Sequence, residues 1–375
     1  MRIAVNTRLL VPGKMDGIGW FAYEVTRRMA AAHPEHSFLL LFDRKPDGCF
    51  EFPDNCEVVV LAPQARHPVL WWLFFEVSVH LALKRLRADV FLSPDGFIPL
   101  HGGVPSLAVI HDVNFEHSPD NLRPSHQRYM THFFPRFAHK AARIATVSEF
   151  SRRDIAATYR VPEGKIDVVY DGAGDCYRPH SKDEMDAVRE KYTGGRPYII
   201  FVSTILKRKN LATLLRAFDL AKDSDAGDLC LVVVGNRAWW GQELAQTFDS
   251  MKFKESVIFL GHLEQPVLAA LLSASRALVY PSLFEGFGIP VLEAMYAETA
   301  VIASNTTSLP EVGGDAAIYT SPLDHVAMAH AISSLRDDAL RCALIEKGRV
   351  QRVRFSWDNT ACLLWNSLMQ ITKQV

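Results

Sequence analysis

Nowhere in these 375 residues do two cysteines form a C-x-x-C pair, and the six cysteines, at 49, 56, 176, 230, 342 and 362, are scattered singly. Neither a zinc ligand set nor a disulfide framework follows from such spacing, so they read as reduced, structural thiols. Long apolar runs are also missing. The most concentrated one, Val69 to Phe75, stops at Glu76, well short of the roughly 20 residues that cross a bilayer. The start, Met1-Arg2-Ile3-Ala4-Val5-Asn6, runs into a strand-like stretch without the apolar segment and small-residue cleavage site of a secretory signal. The expected location is cytoplasmic. Charge of one sign is not in excess: 41 Lys plus Arg against 42 Asp plus Glu leave a net charge of -1. That removes the long-range attraction on which nucleic-acid binding depends, and no nucleic-acid partner is expected.

What is present is the composition of a packed globular protein, with 49% hydrophobic and 22% charged residues. The length suits two domains. Short apolar, β-branched runs recur between helical stretches at Arg2-Asn6, Phe38-Phe42, Val58-Leu61, Asp89-Ser93, Ser106-Ile110, Arg143-Ser148 and Ile166-Tyr170. A polar stretch follows, and then a second series at Tyr198-Ser203, Leu229-Gly235, Val257-Gly261, Ala277-Pro281, Ala300-Ser304 and Ala317-Thr320. Continuous apolar runs alternating with helices predict parallel strands covered on both faces. The fold class is therefore α/β: two doubly wound, Rossmann-like parallel-sheet domains, over 1–175 and 197–356, joined by a linker at 176–196. Ligands bind at the carboxyl ends of such strands, so two facing domains would frame a cleft.

Four segments at strand ends carry candidate chemistry. Gly17 and Gly19 in Asp16-Gly17-Ile18-Gly19 allow close backbone approach ahead of a helix whose start attracts anions; the plainer role is a turn that positions the helix. His111 with Asp112 ends a strand where it can orient a hydroxyl or move a proton, or simply be satisfied by backbone. Lys207, Arg208 and Lys209 can neutralise a diphosphate, or be solvated loop charge before an Asn210 N-cap. Finally Glu285-Gly286-Phe287-Gly288-Ile289-Pro290-Val291-Leu292-Glu293 places two carboxylates around a glycine loop that opens a helix, with Pro290 at its first turn. Its amides would face an anion, while Glu285 and Glu293 would accept from sugar and ribose hydroxyls.

With these residues in place the chain resembles the retaining glycosyltransferases of family 4, of GT-B architecture, over essentially its whole length. Asp16-Gly17-Ile18-Gly19, His111-Asp112, Arg208-Lys209-Asn210, the E-x7-E element and Leu309-Pro310-Glu311-Val312-Gly313 carry the likeness. The resemblance implies a first, acceptor-side domain, a second domain for a nucleotide-sugar donor, and a terminal segment, 357–375, crossing back to the first. It implies Gly17 and Gly19 against the donor diphosphate, Arg208 and Lys209 offsetting its charge, and backbone contacts from Gly286, Phe287, Gly288 and Ile289. Glu285 would hold the transferred sugar, Glu293 the ribose, and His111 the sugar near its reacting carbon. Many members carry Gly-Arg where this chain has Ser203-Thr204. The activity implied is transfer of mannose or glucose from a GDP or UDP donor to a glycan or lipid-linked acceptor, with retention and with no metal or other cofactor. The single D-x-D, Asp223-Ser224-Asp225, precedes a strand and reads as a solvated turn.

Two other functions fit part of the pattern. Gly17, Gly19 and Asp43 partly match a nicotinamide-dehydrogenase fingerprint, although ten residues separate Asn6 from Gly17; the remaining alternative is a nucleotide-sugar-binding protein without catalysis. The Val69–Phe75 aromatics, with Arg66, His67, Lys84, Arg85 and Arg87 around them, suit either helix packing or peripheral contact with the inner face of a membrane.

Overall fold

The computed structural model describes residues 1–13, 15–46, 48–119, 122–224 and 227–373. The chain divides into two units, Met1–Gly172 with Ser356–Val375, and Ala173–Phe355. The first holds β1 (Arg2–Asn6), β2 (Ser37–Phe42), β3 (Cys56–Val60), β4 (Val90–Ser93), β5 (Ser106–Val109), β6 (Arg143–Thr146) and β7 (Ile166–Val168). Their order is β3-β2-β1-β4-β5-β6-β7, every pair parallel. The second unit holds β8 (Tyr198–Val202), β9 (Cys230–Val234), β10 (Val257–Gly261), β11 (Ala277–Tyr280), β12 (Ala300–Ser304) and β13 (Ala317–Thr320), ordered β10-β9-β8-β11-β12-β13 and again parallel. The α/β, doubly wound reading holds for both sheets, and each strand lies within two residues of its sequence expectation.

The central strands are buried on both faces, which is why they read as unbroken apolar runs: Ile3, Ala4 and Val5 are sealed in one unit, Ile200 and Phe201 in the other. Both sheets reverse direction once, between β1 and β4 and between β8 and β11. At such a switch point the flanking loops diverge and leave a crevice at the carboxyl edge.

The stretch 176–196 contains the helix Lys182–Thr193, with a capping box at Ser181 and Glu184. Arg189 Nε donates to the Ala274 carbonyl, and the His180 amide to Ser273, so this helix is packed into the second unit. The terminal helix Trp357–Thr372 belongs to the first unit. Arg28 Nε reaches Asp358 Oδ1 at 2.7 Å, and Trp365 stacks on His33 with ring centres 3.6 Å apart. A Cβ on Gly172 would lie 2.4 Å from the Trp357 amide nitrogen, so only glycine fits where the two stretches of this unit meet.

The aromatic stretch is partly buried and partly exposed. A helix Pro68–Leu73 continues through a π-helical turn, Phe74–Val79, into His80–Arg85. Phe74 and Phe75 are fully buried, whereas Val69, Trp72, Val77 and Leu81 are 61%, 44%, 39% and 56% exposed. No helix among the described residues is long and apolar enough to cross a membrane. All six cysteines are free thiols.

Candidate functional site

In the second unit the segment after β8 turns through a 3-10 helix, Lys207–Lys209, and ends at Asn210 in a left-handed conformation, φ 59°. Asn210 is a clamp more than a cap. Its Nδ2 donates to the carbonyls of Pro281 (3.0 Å) and Pro322 (2.7 Å), and its Oδ1 accepts from Thr213. The Leu283 amide donates to the Arg208 carbonyl at 2.8 Å. The loops after β8 and β11 are thereby tied together across the switch point.

Across that point lies an ion cluster. Lys209, only 7% exposed, donates from Nζ to Glu285 Oε1 at 2.6 Å and to the Tyr280 hydroxyl at 2.8 Å. Arg208 Nη1 donates to the Phe284 carbonyl at 3.0 Å and lies 3.4 Å from Glu285 Oε2. Burial alone would raise the Glu285 carboxyl, but the charges of Lys209 and Arg208 and the Lys209 hydrogen bond outweigh it and hold it down to about 2. Two cations thus meet the Glu285 carboxylate beside the loop that opens the next helix.

That loop is braced from the segment after β12. Ser308 Oγ donates to the carbonyls of Glu285 (3.0 Å) and Phe287 (2.8 Å), and the Glu285 amide donates to Thr307 Oγ1 at 3.2 Å. Gly288 has φ 105°, and a Cβ there would meet Leu309 Cδ2 at 2.5 Å, so position 288 requires glycine. It precedes the helix Ile289–Tyr296, with no side chain capping the first turn. The Phe287 ring is a core group, edge-on to Phe355. One turn into the helix, Glu293 is buried, and burial pushes its carboxyl up to about 7 although Tyr177 hydrogen-bonds it.

In the first unit Asp16 caps the helix Gly17–Ala32 by accepting from the Gly19 amide at 2.9 Å. That amide is thus occupied, and Gly19 contributes by its small size: a Cβ would lie 3.2 Å from the Leu9 carbonyl oxygen. His111 lies after β5, edge-on to Phe21 at 4.9 Å, with Nε2 2.8 Å from the Pro94 carbonyl oxygen. A carbonyl only accepts, so Nε2 carries the proton; burial lowers the ring's basicity, leaving it neutral with Nδ1 as an acceptor. Asp112 caps the next turn through the Asn114 amide.

The dehydrogenase alternative fails at Asp43. Its carboxylate is 3% exposed, paired with Arg44 at 2.6 and 2.7 Å and accepting from the Ala65 amide, which leaves nothing for a ribose. Of the D-x-D, Asp223 and Ser224 end the helix Leu211–Ser224, and Asp225 lies outside the described residues. Tyr280, Thr307, Ser308 and Tyr177 have no motif of their own in the sequence; the first three are signalled only by their nearness to the E-x7-E element and its flanking strands, and Tyr177 by nothing local.

The family model described as glycosyl transferases group 1 matches residues 182–351, and that described as glycosyltransferase family 4 matches residues 15–173. An O-antigen chain mannosyltransferase B of Escherichia coli is 31% identical over 358 residues, covering 92% of this chain and 93% of that protein. The O-antigen chain mannosyltransferase RfbU of Salmonella typhimurium is 27% identical over 317 residues, covering 83% and 80%. The crystal structure of Anabaena Alr3699/HepE in complex with UDP and glucose matches with a TM-score of 0.75 at 17% identity, over 99% of this chain and 100% of that one. At that identity the match bears on the fold alone.

Proposed function

The chain belongs to the group 1 glycosyltransferases of GT-B fold, and from that premise we propose that it transfers mannose from GDP-mannose to a glycan acceptor in O-antigen-type polysaccharide assembly, with retention of configuration. The observation that carries this reading is the ion cluster at the second switch point: two cations held by one carboxylate, next to the amides of residues 286–289. In the reaction Arg208 and Lys209 offset the charge that develops on the departing diphosphate, work that donors fixed in advance perform without reorganisation. Glu285 stays ionised and accepts from hydroxyls of the transferred sugar, while Glu293 accepts from the ribose diol. Gly286, Phe287, Gly288 and Ile289 contribute backbone. From the first unit, Gly17 and Gly19 give the diphosphate room, and neutral His111 accepts from a sugar hydroxyl. No metal or other cofactor takes part in this proposal. The acceptor is presented at the inner face of a membrane, where the exposed Val69, Trp72, Val77 and Leu81, with Lys84 and Arg85, rest on anionic lipid.

The test pairs thermal shift with turnover. GDP raises the melting temperature and NAD does not; GDP-mannose is consumed by the wild type, while Lys209→Ala and Glu285→Ala are inactive although each still unfolds cooperatively. Stabilisation by UDP with consumption of UDP-glucose transfers the assignment to glucose. A folded wild type that consumes neither donor overturns catalysis in favour of binding alone.

A further inference from the structure

The two sheets share one strand order, so β1 and β4 correspond to β8 and β11. In the second unit a buried cation–carboxylate pair, Lys209–Glu285, bridges the switch point. The first unit has a counterpart. Arg8, two residues beyond β1, donates from Nε to Asp95 Oδ2 at 2.7 Å, and Asp95 lies two residues beyond β4. Arg8 is 7% exposed and Asp95 8%.

This pair is held more firmly than an ion pair needs. Asp95 Oδ1 accepts from Asn6 Nδ2 (2.7 Å), Ser93 Oγ (3.0 Å) and the Phe97 amide (3.3 Å), so both carboxylate oxygens are engaged. The guanidinium lies 4.6 Å from the centre of the Phe97 ring, 5.5 Å from Phe75 and 5.8 Å from Trp71, and its Nη1 donates to the Ala65 carbonyl. Nη2, however, finds no acceptor among the described residues, yet it is not among the atoms sealed from solvent. A rigid, unpartnered donor that keeps some solvent contact is therefore left at the position where an open α/β sheet takes its ligand. The peptide between Pro94 and Asp95 also links it to His111, whose Nε2 rests on the Pro94 carbonyl.

We propose that Arg8 is a binding residue of the first unit, donating from Nη2 to a hydroxyl of the acceptor's terminal sugar. The chemistry favours a neutral oxygen over a phosphate, because Asp95 already balances the guanidinium charge, so what remains is a directional N–H rather than a field. Asp95 is the positioning residue, holding the fork in place. The inference rests on the glycosyltransferase reading and adds the acceptor to it.

The test uses the full chain with GDP-mannose as donor, octyl α-mannoside as acceptor probe, and Arg8→Lys, which keeps the charge on Asp95 but loses the fork. An Arg8→Met/Asp95→Asn double variant removes both charges together, so that neither is left buried and unpaired. The expected result is an acceptor KM raised tenfold or more in both variants, with donor KM, GDP affinity and acceptor-free hydrolysis of GDP-mannose within twofold of wild type. A variant whose melting temperature falls while its acceptor KM stays put assigns Arg8 to stability alone and overturns the proposal. Where the wild type transfers nothing, saturation-transfer NMR of octyl α-mannoside on the GDP-loaded protein decides. Arg8-dependent binding keeps the site and discards the transfer reading, and binding indifferent to Arg8, or no binding, discards the site.

Discussion

The ammonium of Lys209 donates to the phenolic oxygen of Tyr280 at 2.8 Å, from a pocket in which both side chains are almost wholly buried. The same nitrogen lies 5.2 Å from the centre of the ring, beyond its hydroxyl edge, so the phenolic oxygen is the contact that Tyr280 offers the cation. Tyr280→Phe keeps the ring in the core and removes the lone pair. A hydrogen bond to a charged group contributes about 1.5–3 kcal/mol, so kcat is expected to fall roughly ten- to hundredfold with GDP affinity little changed. In a Lys209→Ala background the same substitution is expected to cost nothing further. Steady-state kinetics of the four proteins check this, and equal losses in both backgrounds would sever Tyr280 from Lys209.

Glu293 gives the site a pH dependence. Its carboxyl is raised to about 7 by burial, so the folded chain keeps a proton that the unfolded chain releases near the ordinary glutamate value. Stability from this group is therefore present at low pH and declines as pH rises from about 4.5 to 7. A ribose diol needs the ionised form as acceptor, so GDP affinity should rise between pH 6 and 8. Glu293→Gln is expected to flatten that rise, weaken GDP binding, and stabilise the unliganded protein at pH 8 by roughly 2–3 kcal/mol. Calorimetric titration at three pH values, with urea unfolding of both proteins, tests each part.

At position 288 the prediction concerns the backbone. Gly288→Ala places a methyl group against Leu309 at a residue with φ 105°, which costs about 1–3 kcal/mol through strain and moves the loop that precedes the helix Ile289–Tyr296. The melting temperature should drop by several degrees and turnover should fall with it. Gly13, also at positive φ but with open space around it, serves as the control: alanine there should lower stability by less and leave turnover near wild type.

The stripe of Val69, Trp72, Val77 and Leu81 predicts binding to lipid. Co-sedimentation with vesicles containing a third phosphatidylglycerol should be strong at low salt, weak with phosphatidylcholine alone, and reduced severalfold by Trp72→Ser with Leu81→Ser. These side chains are exposed, so the melting temperature should hold. Equal binding to both lipids would remove the charge component from the proposal.

The strands were legible because burial on two faces leaves no polar alternation to misread, as in Ile199-Ile200-Phe201-Val202. The E-x7-E element was legible because a glycine turn and a helix start impose fixed spacing on their neighbours. Pairings made across the sheet were not. Lys209 meets Tyr280 over 71 positions and Arg8 meets Asp95 over 87, and no local pattern reports contacts at that range. Tyr177 was concealed differently: the polar residues around it read as a linker, although its hydroxyl reaches Glu293. The apolar stretch at Val69 was ambiguous because a π-helical turn shifts which residues share a face, and period counting assumes a uniform helix.

The return of the terminal helix to the first unit makes the second unit, in chain terms, an insertion. Residues 173–355 form one uninterrupted segment that can be excised whole, whereas the first unit is assembled from two stretches far apart in the chain. A chain ending at 355 would strip the helix Gly17–Ala32 of Trp365 and Asp358 and bare the apolar surface beneath them. Completion of the amino-terminal fold therefore waits until the chain beyond residue 355 has been synthesised.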